Sequence, residues 1–142
     1  MSDVWIPRLD ADQSRTHSTQ SLYSYSEGFV PDTLPLVKGT LDLLVLKALS
    51  WTPMHGFEIT QWLEERSDGT LGINDSALYQ ALHRMEAREL IVAEWGVTAN
   101  NQQARYYRLD KAGRAYLKAE TARWVRYADT VTGILTALPG SR

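Results

Sequence analysis

The fold of this chain is indicated most clearly by residues 74–94, which read N-D-S-A-L-Y-Q-A-L-H-R-M-E-A-R-E-L-I-V-A-E. The first half predicts a short helix, because its apolar residues recur at the three- and four-residue spacing of a buried helical face: Leu78, Ala81, Leu82 and Met85. The opposite face carries polar groups of the kind that read base edges in a major groove: Ser76, Tyr79, Gln80, His83 and Arg84. An ordinary solvated helix has a similar outer face, so this helix alone leaves both interpretations open.

The residues that follow this helix favour DNA binding. Leu90–Val97 is rich in β-branched and aromatic residues and predicts a strand. Residues 98–103 form a polar turn, and residues 104–109 alternate with the period of a second, half-buried strand. A helix followed directly by a hairpin is the arrangement of a winged helix, in which the helix enters the groove and the hairpin, or wing, flanks it on the phosphates.

The residues before this helix complete a helix-turn-helix domain, which we place at residues 34–109. Residues 41–49 carry leucine, valine and alanine at helical spacing, and residues 52–56 break that helix. Residues 56–66 predict a second helix with an apolar inner face. The predicted fold class is mainly α with a small β-hairpin, a winged helix-turn-helix domain followed by a long C-terminal dimerisation helix.

Smaller features of this domain can also be assigned. Leu71–Ile73 predicts a very short strand that pairs with the wing. We expect Trp62 and Trp95 to lie in the core, and His55 to cap a helix or pack at a turn. The helix of the 74–94 stretch can be capped by any of three residues: Asn74, Asp75 or Ser76.

A long helix is predicted from Asp110 to about Leu138, where Pro139 and Gly140 end it. Apolar and small residues recur along it at alternating spacings of four and three residues: Leu117, Thr121, Trp124, Ala128, Val131, Leu135 and Leu138. This is a heptad seam, which requires a partner helix, and a second copy of the chain is the simplest partner. We therefore assign residues 110–138 to homodimerisation and residues 139–142 to a tail. A helix folded back on its own domain is the alternative.

Residues 1–33 are interpreted as a flexible N-terminal tail. Residues 13–21 are polar and have neither helical nor strand periodicity, so they bury too little apolar surface to offset the entropy of ordering. The tail nevertheless contains apolar residues that could pack on the body or on a partner chain: Trp5, Leu22, Tyr23, Tyr25 and Phe29.

The composition excludes several classes of protein. The chain has no cysteine, which excludes disulfides and thiolate metal sites. Its three histidines, His17, His55 and His83, lie in separate segments without carboxylates at ligand spacing, so no metal is expected. No catalytic motif or phosphate loop occurs, so we expect neither an enzyme nor a cofactor. Because no apolar run of about 18 residues and no secretory signal occur, we expect no membrane partner and a cytoplasmic protein.

The net charge of −2 opposes a nucleic-acid partner, but its distribution reduces that objection. Residues 1–36 carry two basic against five acidic residues, a net −3. Residues 37–95 carry five against nine, a net −4, and residues 96–142 carry eight against three, a net +5. The positive charge therefore begins at the wing, where phosphate contacts are expected. Such a weak overall field favours binding as a dimer.

The stretch from Val37 to about Leu138 resembles the PadR family of bacterial transcriptional regulators. The resemblance rests on linked motifs in four helices and the second wing strand: Lys38–Leu46, Met54–Ile59, Ser76–Tyr79 with Leu82, Arg84, Met85 and Glu86, Ala104–Leu109 and Ala112-Gly113. It implies a winged-helix dimer that represses transcription, with the long terminal helix pairing the protomers. A single terminal helix is similar to the branch with a short C-terminal domain.

Two residues depart from the family pattern. Gln80 stands where proline is frequent, and glutamine can bond adenine through two hydrogen bonds, which would change the sequence preference. Glu89 replaces a frequent glycine at the end of the helix. A left-handed conformation would cost glutamate on the order of 1 kcal/mol, so we expect this corner to be built differently.

The predicted function is a repressor that binds a pseudo-palindromic operator in double-stranded DNA as a homodimer. The residues expected to contact DNA are Lys38, Ser76, Tyr79, Gln80, His83, Arg84, Asn101, Gln103 and Arg105. Arg108 is instead expected to pair with an acid on the neighbouring strand. Because some PadR relatives bind flat aromatic compounds between subunits, Trp124 marks either an effector pocket or plain interface packing, and a small aromatic effector would release the DNA. The alternative function is a winged-helix module that docks protein rather than DNA.

Overall fold

Four helices and a small sheet lie within residues 33–140, the part of the chain that the computed structural model describes. In chain order they are α1 (Thr40–Leu49), β1 (Met54–His55), α2 (Gly56–Ser67), α3 (Asp75–Ala87), β2 (Ile91–Val97), β3 (Gln103–Leu109) and α4 (Lys111–Leu135). This order confirms the predicted fold class, a winged helix with a long terminal helix. The predicted tail at residues 1–33, with its apolar residues, lies outside the described residues except for Thr33.

Helix α1 lies at the centre of the domain, where it contacts α2, α3, β3 and α4. It can do so because its apolar residues cover more than one face, and its buried set is Leu41, Val45, Leu46, Ala48 and Leu49. Each neighbouring helix contributes a smaller apolar stripe, such as Ile59 and Leu63 from α2. Burial of these stripes against α1 removes the apolar surface of the domain from water, which is the main force that holds it together.

The sheet has three antiparallel strands in the order β1-β3-β2. Its third strand is β1, in which Met54 pairs with Tyr107 and His55 pairs with Tyr106. The prediction that Leu71–Ile73 pairs with the wing was therefore wrong. Leu71 instead forms a parallel bridge with Leu34, because the chain that enters the domain runs beside it.

His55 caps helix α2, as predicted. Its Nδ1 accepts a hydrogen bond from the backbone N–H of Glu58 at 3.3 Å, and the Glu58 carboxylate accepts one from the His55 N–H at 3.0 Å. This reciprocal pair is a capping box that satisfies two backbone donors at the start of the helix. The residue that ends β1 therefore also starts α2, which fixes the helix against the sheet.

Helix α3 ends in a Schellman motif. The N–H of Leu90 donates to the Met85 carbonyl and the N–H of Glu89 donates to the Glu86 carbonyl, both at 2.9 Å. Glu89 takes the left-handed conformation that this motif requires, with φ at 61°. The expectation of a differently built corner was wrong, because the two hydrogen bonds and the burial of Leu90 hold Glu89 in a conformation that suits glycine better.

Helix α4 joins the domain through its first turns. The Asp110 N–H donates to the carbonyl oxygen of Leu90 at 3.0 Å, and Gly113 packs directly against the same carbonyl. Beyond Leu117 most of the helix surface is exposed. The helix ends at Leu135, so Leu138 lies outside it and the predicted helix was three residues too long. Pro139 disfavours helical geometry at Leu138, the residue before it.

The two tryptophans assigned to the core differ. Trp62 packs against the core and is covered by the guanidinium of Arg66, whose carbon lies 4.6 Å from the ring centroid. Trp95 is 57% exposed, so its assignment to the core was wrong. It lies across from Arg105 in the outer half of the hairpin, where residues 94 and 95 of β2 are both exposed.

Replacing Gly113 with alanine is expected to lower the free energy of unfolding by about 1–3 kcal/mol or more, because the added Cβ would overlap the Leu90 carbonyl and press on Leu109. Chemical denaturation measures this change. The matched control is Gly133→Ala in the same helix, where the Cβ meets no atom within 4 Å. That variant should gain about 1 kcal/mol from helix propensity. Equal effects at the two positions would contradict the close packing of α4 on the corner.

Replacing Glu89 with glycine is expected to raise the free energy of unfolding by about 1 kcal/mol, because the left-handed conformation then carries no steric cost. Glu89→Ala is the control, since it removes the same charge but keeps the Cβ. Thermal and chemical denaturation of the two variants should separate them. Stabilisation of the same size by alanine would show that charge, and not backbone conformation, is responsible.

Candidate nucleic-acid interface

Helix α3 presents two faces of opposite character. Its inner residues, Leu78, Ala81, Leu82 and Met85, are at most 2% exposed. Its outer residues Ser76, Gln80, His83 and Arg84 are exposed, as the sequence predicted. The helix starts at Asn74, whose side-chain oxygen accepts from the Ala77 N–H at 2.7 Å, so Asn74 is the cap among the three residues considered. The outer face thus stands on a rigid apolar base.

Tyr79 lies at the edge of this outer face and is partly buried. Its ring meets the imidazole of His83 edge to face, with centroids 4.5 Å apart. Nearby, Tyr107 of β3 is buried, and this burial raises the pKa of its phenol, with Arg105 opposing the rise and Glu86 adding to it. Tyr107 therefore stays protonated at neutral pH. The aromatic contact packs the Tyr79 and His83 side chains against each other at the edge of the outer face.

Two arginines predicted to contact DNA are held by carboxylates. Arg84 donates to Asp42 at 2.6 Å, and Arg105 donates to Glu86 at 2.9 Å. Asp42 lies in the first turn of α1, so its bond to Arg84 places the start of α1 beside the outer face of α3. Lys38 precedes this turn and is exposed. A phosphate at this position would compete with Asp42 for Arg84.

The hairpin tip is built from a polar turn. The Thr98 hydroxyl accepts from the N–H groups of Asn100 and Gln102, both at 3.2 Å, and Asn101 takes the left-handed conformation with φ at 64°. Asn101 thus lies at the exposed tip, as predicted. Gln103 is the first residue of β3 and flanks the tip. Arg105 lies two residues further into the strand and points toward α3, where it pairs with Glu86.

The wing is braced against the domain by aromatic packing. The Tyr106 ring lies over Gly96, where a Cβ would come within 2.6 Å of the ring, and the Tyr106 hydroxyl donates to the Val97 carbonyl at 3.3 Å. His55 meets the same ring edge to face at 5.3 Å. Arg108 pairs with Glu94 of the neighbouring strand at 3.4 Å, as predicted. Three of these contacts lie within the hairpin, and His55 ties it to β1. The Arg105–Glu86 ion pair joins the hairpin to α3.

Two residues that sequence reasoning did not assign to this surface belong to it. Asp42 is 42 positions from Arg84 in the chain, and no local pattern indicates their contact. Trp95 pairs across the strands with Arg105, so the two side chains lie on the same face of the sheet. On that face Arg105 reaches Glu86 of α3. An exposed tryptophan beside α3 is a candidate for stacking on an aromatic group of a partner molecule or for another contact with that partner.

The heptad residues of α4 lie apart from this face. Trp124 is 44% exposed and Leu135 is 77% exposed, while Leu117, Ala128 and Val131 are partly buried. Other large apolar side chains of the same helix are also exposed, including Ile134. Apolar exposure along the outer part of a single helix is typical of an association surface.

Three further observations concern residues 33–140. No group of three or more potential metal-binding side chains comes together there. None of its helices has the length and apolarity needed to cross a membrane. Basic and acidic residues are equal in number in this range, at twelve each.

A family model described as the transcriptional regulator PadR-like family matches residues 45–119, more than half of the chain. The chain belongs to this family of transcriptional regulators. A PadR family transcription regulator from Clostridium difficile is 25% identical and has a TM-score of 0.59, with 70% of this chain and 100% of that chain covered.

Two further proteins are similar to this chain. The crystal structure of a PadR family transcriptional regulator from Eggerthella lenta, 23% identical, shares the fold with a TM-score of 0.60 and covers 92% of this chain and 99% of its own. An uncharacterized protein of Lysinibacillus sphaericus is 27% identical over 96 residues, which are 68% of this chain and 88% of the relative. In this PadR-like regulator, α1–α3 and the β2–β3 hairpin form the winged helix-turn-helix.

Proposed function

We propose that this PadR-like regulator binds a pseudo-palindromic operator in double-stranded DNA as a homodimer and represses transcription. The observation that carries the proposal is the outer face of α3, where Ser76, Gln80 and His83 stand exposed on a buried apolar base. Amide and imidazole groups on a rigid helix can read donor and acceptor patterns in the major groove. Gln80 is the residue suited to a two-bond contact with adenine.

Phosphate contacts are assigned to the residues around this face. Lys38 precedes the start of α1, which the Asp42–Arg84 ion pair holds beside α3. Tyr79 borders the face on its partly buried side, and Asn101 and Gln103 belong to the wing tip. Arg84 and Arg105 complete the set, although each must exchange a carboxylate for a phosphate to take part. Because phosphate contacts fix register without reading sequence, these residues would position Gln80 and His83.

The homodimer is proposed to form along α4, through Leu117, Thr121, Trp124, Ala128, Val131 and Leu135. The exposure of Trp124 and Leu135 supports this assignment, since pairing would remove their apolar surface from water. Two protomers would then place two α3 helices about one turn of DNA apart, roughly 34 Å. Trp124 is also the candidate contact for a small aromatic effector that releases the DNA.

The internal pairing of arginines supports one alternative. With equal numbers of basic and acidic residues in 33–140, and with Arg84, Arg105 and Arg108 all paired to carboxylates, this surface could instead dock a protein. DNA binding releases counterions and weakens steeply with salt, whereas a polar protein interface depends on salt far less. The salt dependence of duplex binding therefore separates the two functions.

Replacing Gln80 or His83 with alanine should weaken binding to a selected duplex by about 1–3 kcal/mol per lost base contact. The duplex is obtained by pull-down of genomic fragments with the wild-type protein. Gel retardation measures the affinity, and a titration measures the stoichiometry, for which we expect two chains per duplex. Gln61→Ala, an exposed glutamine on α2, is the control and should bind normally. Wild-type binding by both α3 variants would refute base reading by this face.

Replacing Asp42 with asparagine should tighten duplex binding, because Arg84 then becomes available to a phosphate and a negative charge is removed. The slope of log K against log salt should steepen by roughly one unit, as expected for one more phosphate contact. Asp68→Asn makes the same charge change at the end of α2, where asparagine suits the left-handed conformation. Weaker binding by Asp42→Asn would mean that the ion pair positions α3 and does not restrain Arg84.

A further inference from the structure

Trp95 of β2 is a large side chain that the packing of the domain leaves mostly uncovered. It is 57% exposed, and it makes no aromatic, cation–π or side-chain hydrogen-bond contact with another residue in the range 33–140. Trp51 and Trp62 differ, because their rings lie 6.3 Å apart and the Arg66 guanidinium lies over both. Trp124 belongs to the α4 surface assigned to the homodimer. Among these tryptophans, Trp95 is therefore the one to which no contact has been assigned.

Trp95 and Val97 together form an apolar patch on the outer half of β2, here called the wing patch. Side chains two residues apart lie on the same face of a strand, and Val97 is also exposed, at 62%. Their cross-strand partners on that face are Arg105 and Gln103 of β3. Closer to the core, the same face buries Ile91. The wing patch therefore continues the core-facing side of the sheet outward into solvent.

Arg105 places this face beside α3 and leaves the Trp95 ring uncovered. Its guanidinium donates to Glu86 of α3 at 2.9 Å. The carbon of the same guanidinium lies 5.8 Å from the centroid of the Tyr107 ring. The charged end of Arg105 is thus occupied by α3 and β3, so the wing patch borders the candidate interface with its apolar surface free.

The backbone of the wing patch is supported from the opposite face of the sheet. There the Tyr106 ring packs over Gly96, the residue between the two members of the patch, and its hydroxyl donates to the Val97 carbonyl at 3.3 Å. His55 meets the same ring edge to face, with centroids 5.3 Å apart. A patch on a supported strand loses little conformational entropy when a partner covers it, which favours its use in binding.

The chemistry of this face matches the backbone of a DNA strand. Glu94, the carboxylate of β2, lies on the other face of the sheet and pairs there with Arg108. The wing patch is uncharged and apolar, and the row beside it carries the amide of Gln103 and the guanidinium of Arg105. A DNA strand likewise sets apolar deoxyribose beside anionic phosphates, and proteins contact both. DNA therefore fits this face better than an apolar protein surface does.

We propose that Trp95 contacts the deoxyribose of a DNA strand next to the groove that α3 enters, with Val97 packed against the same strand. This inference rests on the proposed function and extends it, because it assigns part of the affinity to an apolar contact of the wing. Phosphate contacts release counterions, whereas an apolar contact releases none. Duplex binding then has a component that salt does not weaken.

Replacing Trp95 with alanine should weaken binding to the selected duplex about tenfold at every salt concentration, because roughly 60 Å² of apolar contact is lost. The slope of log K against log salt should equal that of the wild-type protein. Trp95→Phe keeps an aromatic ring and should recover most of the affinity. Trp51→Ala is the control, since it removes an exposed tryptophan just after α1 and should bind normally.

Two results of this titration would overturn the proposal. Wild-type affinity for Trp95→Ala would mean that the side chain takes no part in binding. A shallower salt slope for the same variant would mean that Trp95 only supports the wing, and that phosphate contacts were lost with it.

Fluorine NMR tests the same contact without replacing Trp95. The five tryptophans are labelled as 5-fluorotryptophan, and the spectrum of Trp95→Phe identifies the Trp95 resonance by its absence. In the free protein this resonance should differ between H₂O and D₂O, as expected for an exposed ring. Addition of the selected duplex should move it and remove the solvent effect, while the Trp51 resonance stays unchanged.

The free protein gives a further test. A Trp95 resonance without a solvent effect would mean that another part of the chain, or a second copy, already covers the ring, and this would overturn the proposal. Dilution separates these two occupants, because only a second copy dissociates.

The Trp95 contact and the function on which it rests can fail separately. A duplex that binds two chains, while the Trp95 resonance and the Trp95→Ala affinity stay unchanged, would retain DNA binding and overturn the Trp95 contact. Retention of no genomic fragment by the wild-type protein would overturn both.

Discussion

The backbone carbonyl of Leu90 is the contact on which the arrangement of this molecule depends. It accepts a hydrogen bond from the Asp110 N–H at 3.0 Å. Gly113 packs so closely against it that any Cβ at that position would overlap the carbonyl. Leu90 lies between the end of α3 at Ala87 and the start of β2 at Ile91, and it is beside the junction where β3 ends and α4 begins. The outer face of α3, the wing and the terminal helix are therefore fixed relative to one another by backbone atoms, and surface side chains can change without disturbing that geometry.

Much of the fold could be predicted from the sequence, because helices that bury one face repeat their apolar residues. The central helix, α3 and the hairpin were predicted from such patterns and confirmed. Strand β1 was not, since two residues have no periodicity and their pairing with Tyr106 and Tyr107 depends on the tertiary fold. The prediction that Trp95 lies in the core was wrong for a related reason. Aromatic composition indicates a strand, but it does not show whether another layer of the protein covers that strand.

The candidate interface could be predicted as a face but not as a set of charges. Helical periodicity places Ser76, Gln80 and His83 outward, as observed. It gives no sign that Arg84 is held by Asp42 or that Arg105 is held by Glu86, because these partners are distant in sequence. In the DNA-binding function proposed above, these ion pairs would neutralise Arg84 and Arg105 in the free protein, which would reduce attraction to arbitrary DNA and leave selectivity to the neutral groups of α3.

The length of α4 gives the corner at Leu90 an effect far from it. A helix of 25 residues extends about 37 Å from its first turn, so a tilt of about 5° at its root moves its far end by on the order of 3 Å. In the proposed dimer joined along this helix, a shift at the far end of α4 would in turn tilt the domain at its root. A ligand that changes the crossing angle of the two α4 helices would move the two α3 helices out of register with the DNA, without contacting either of them.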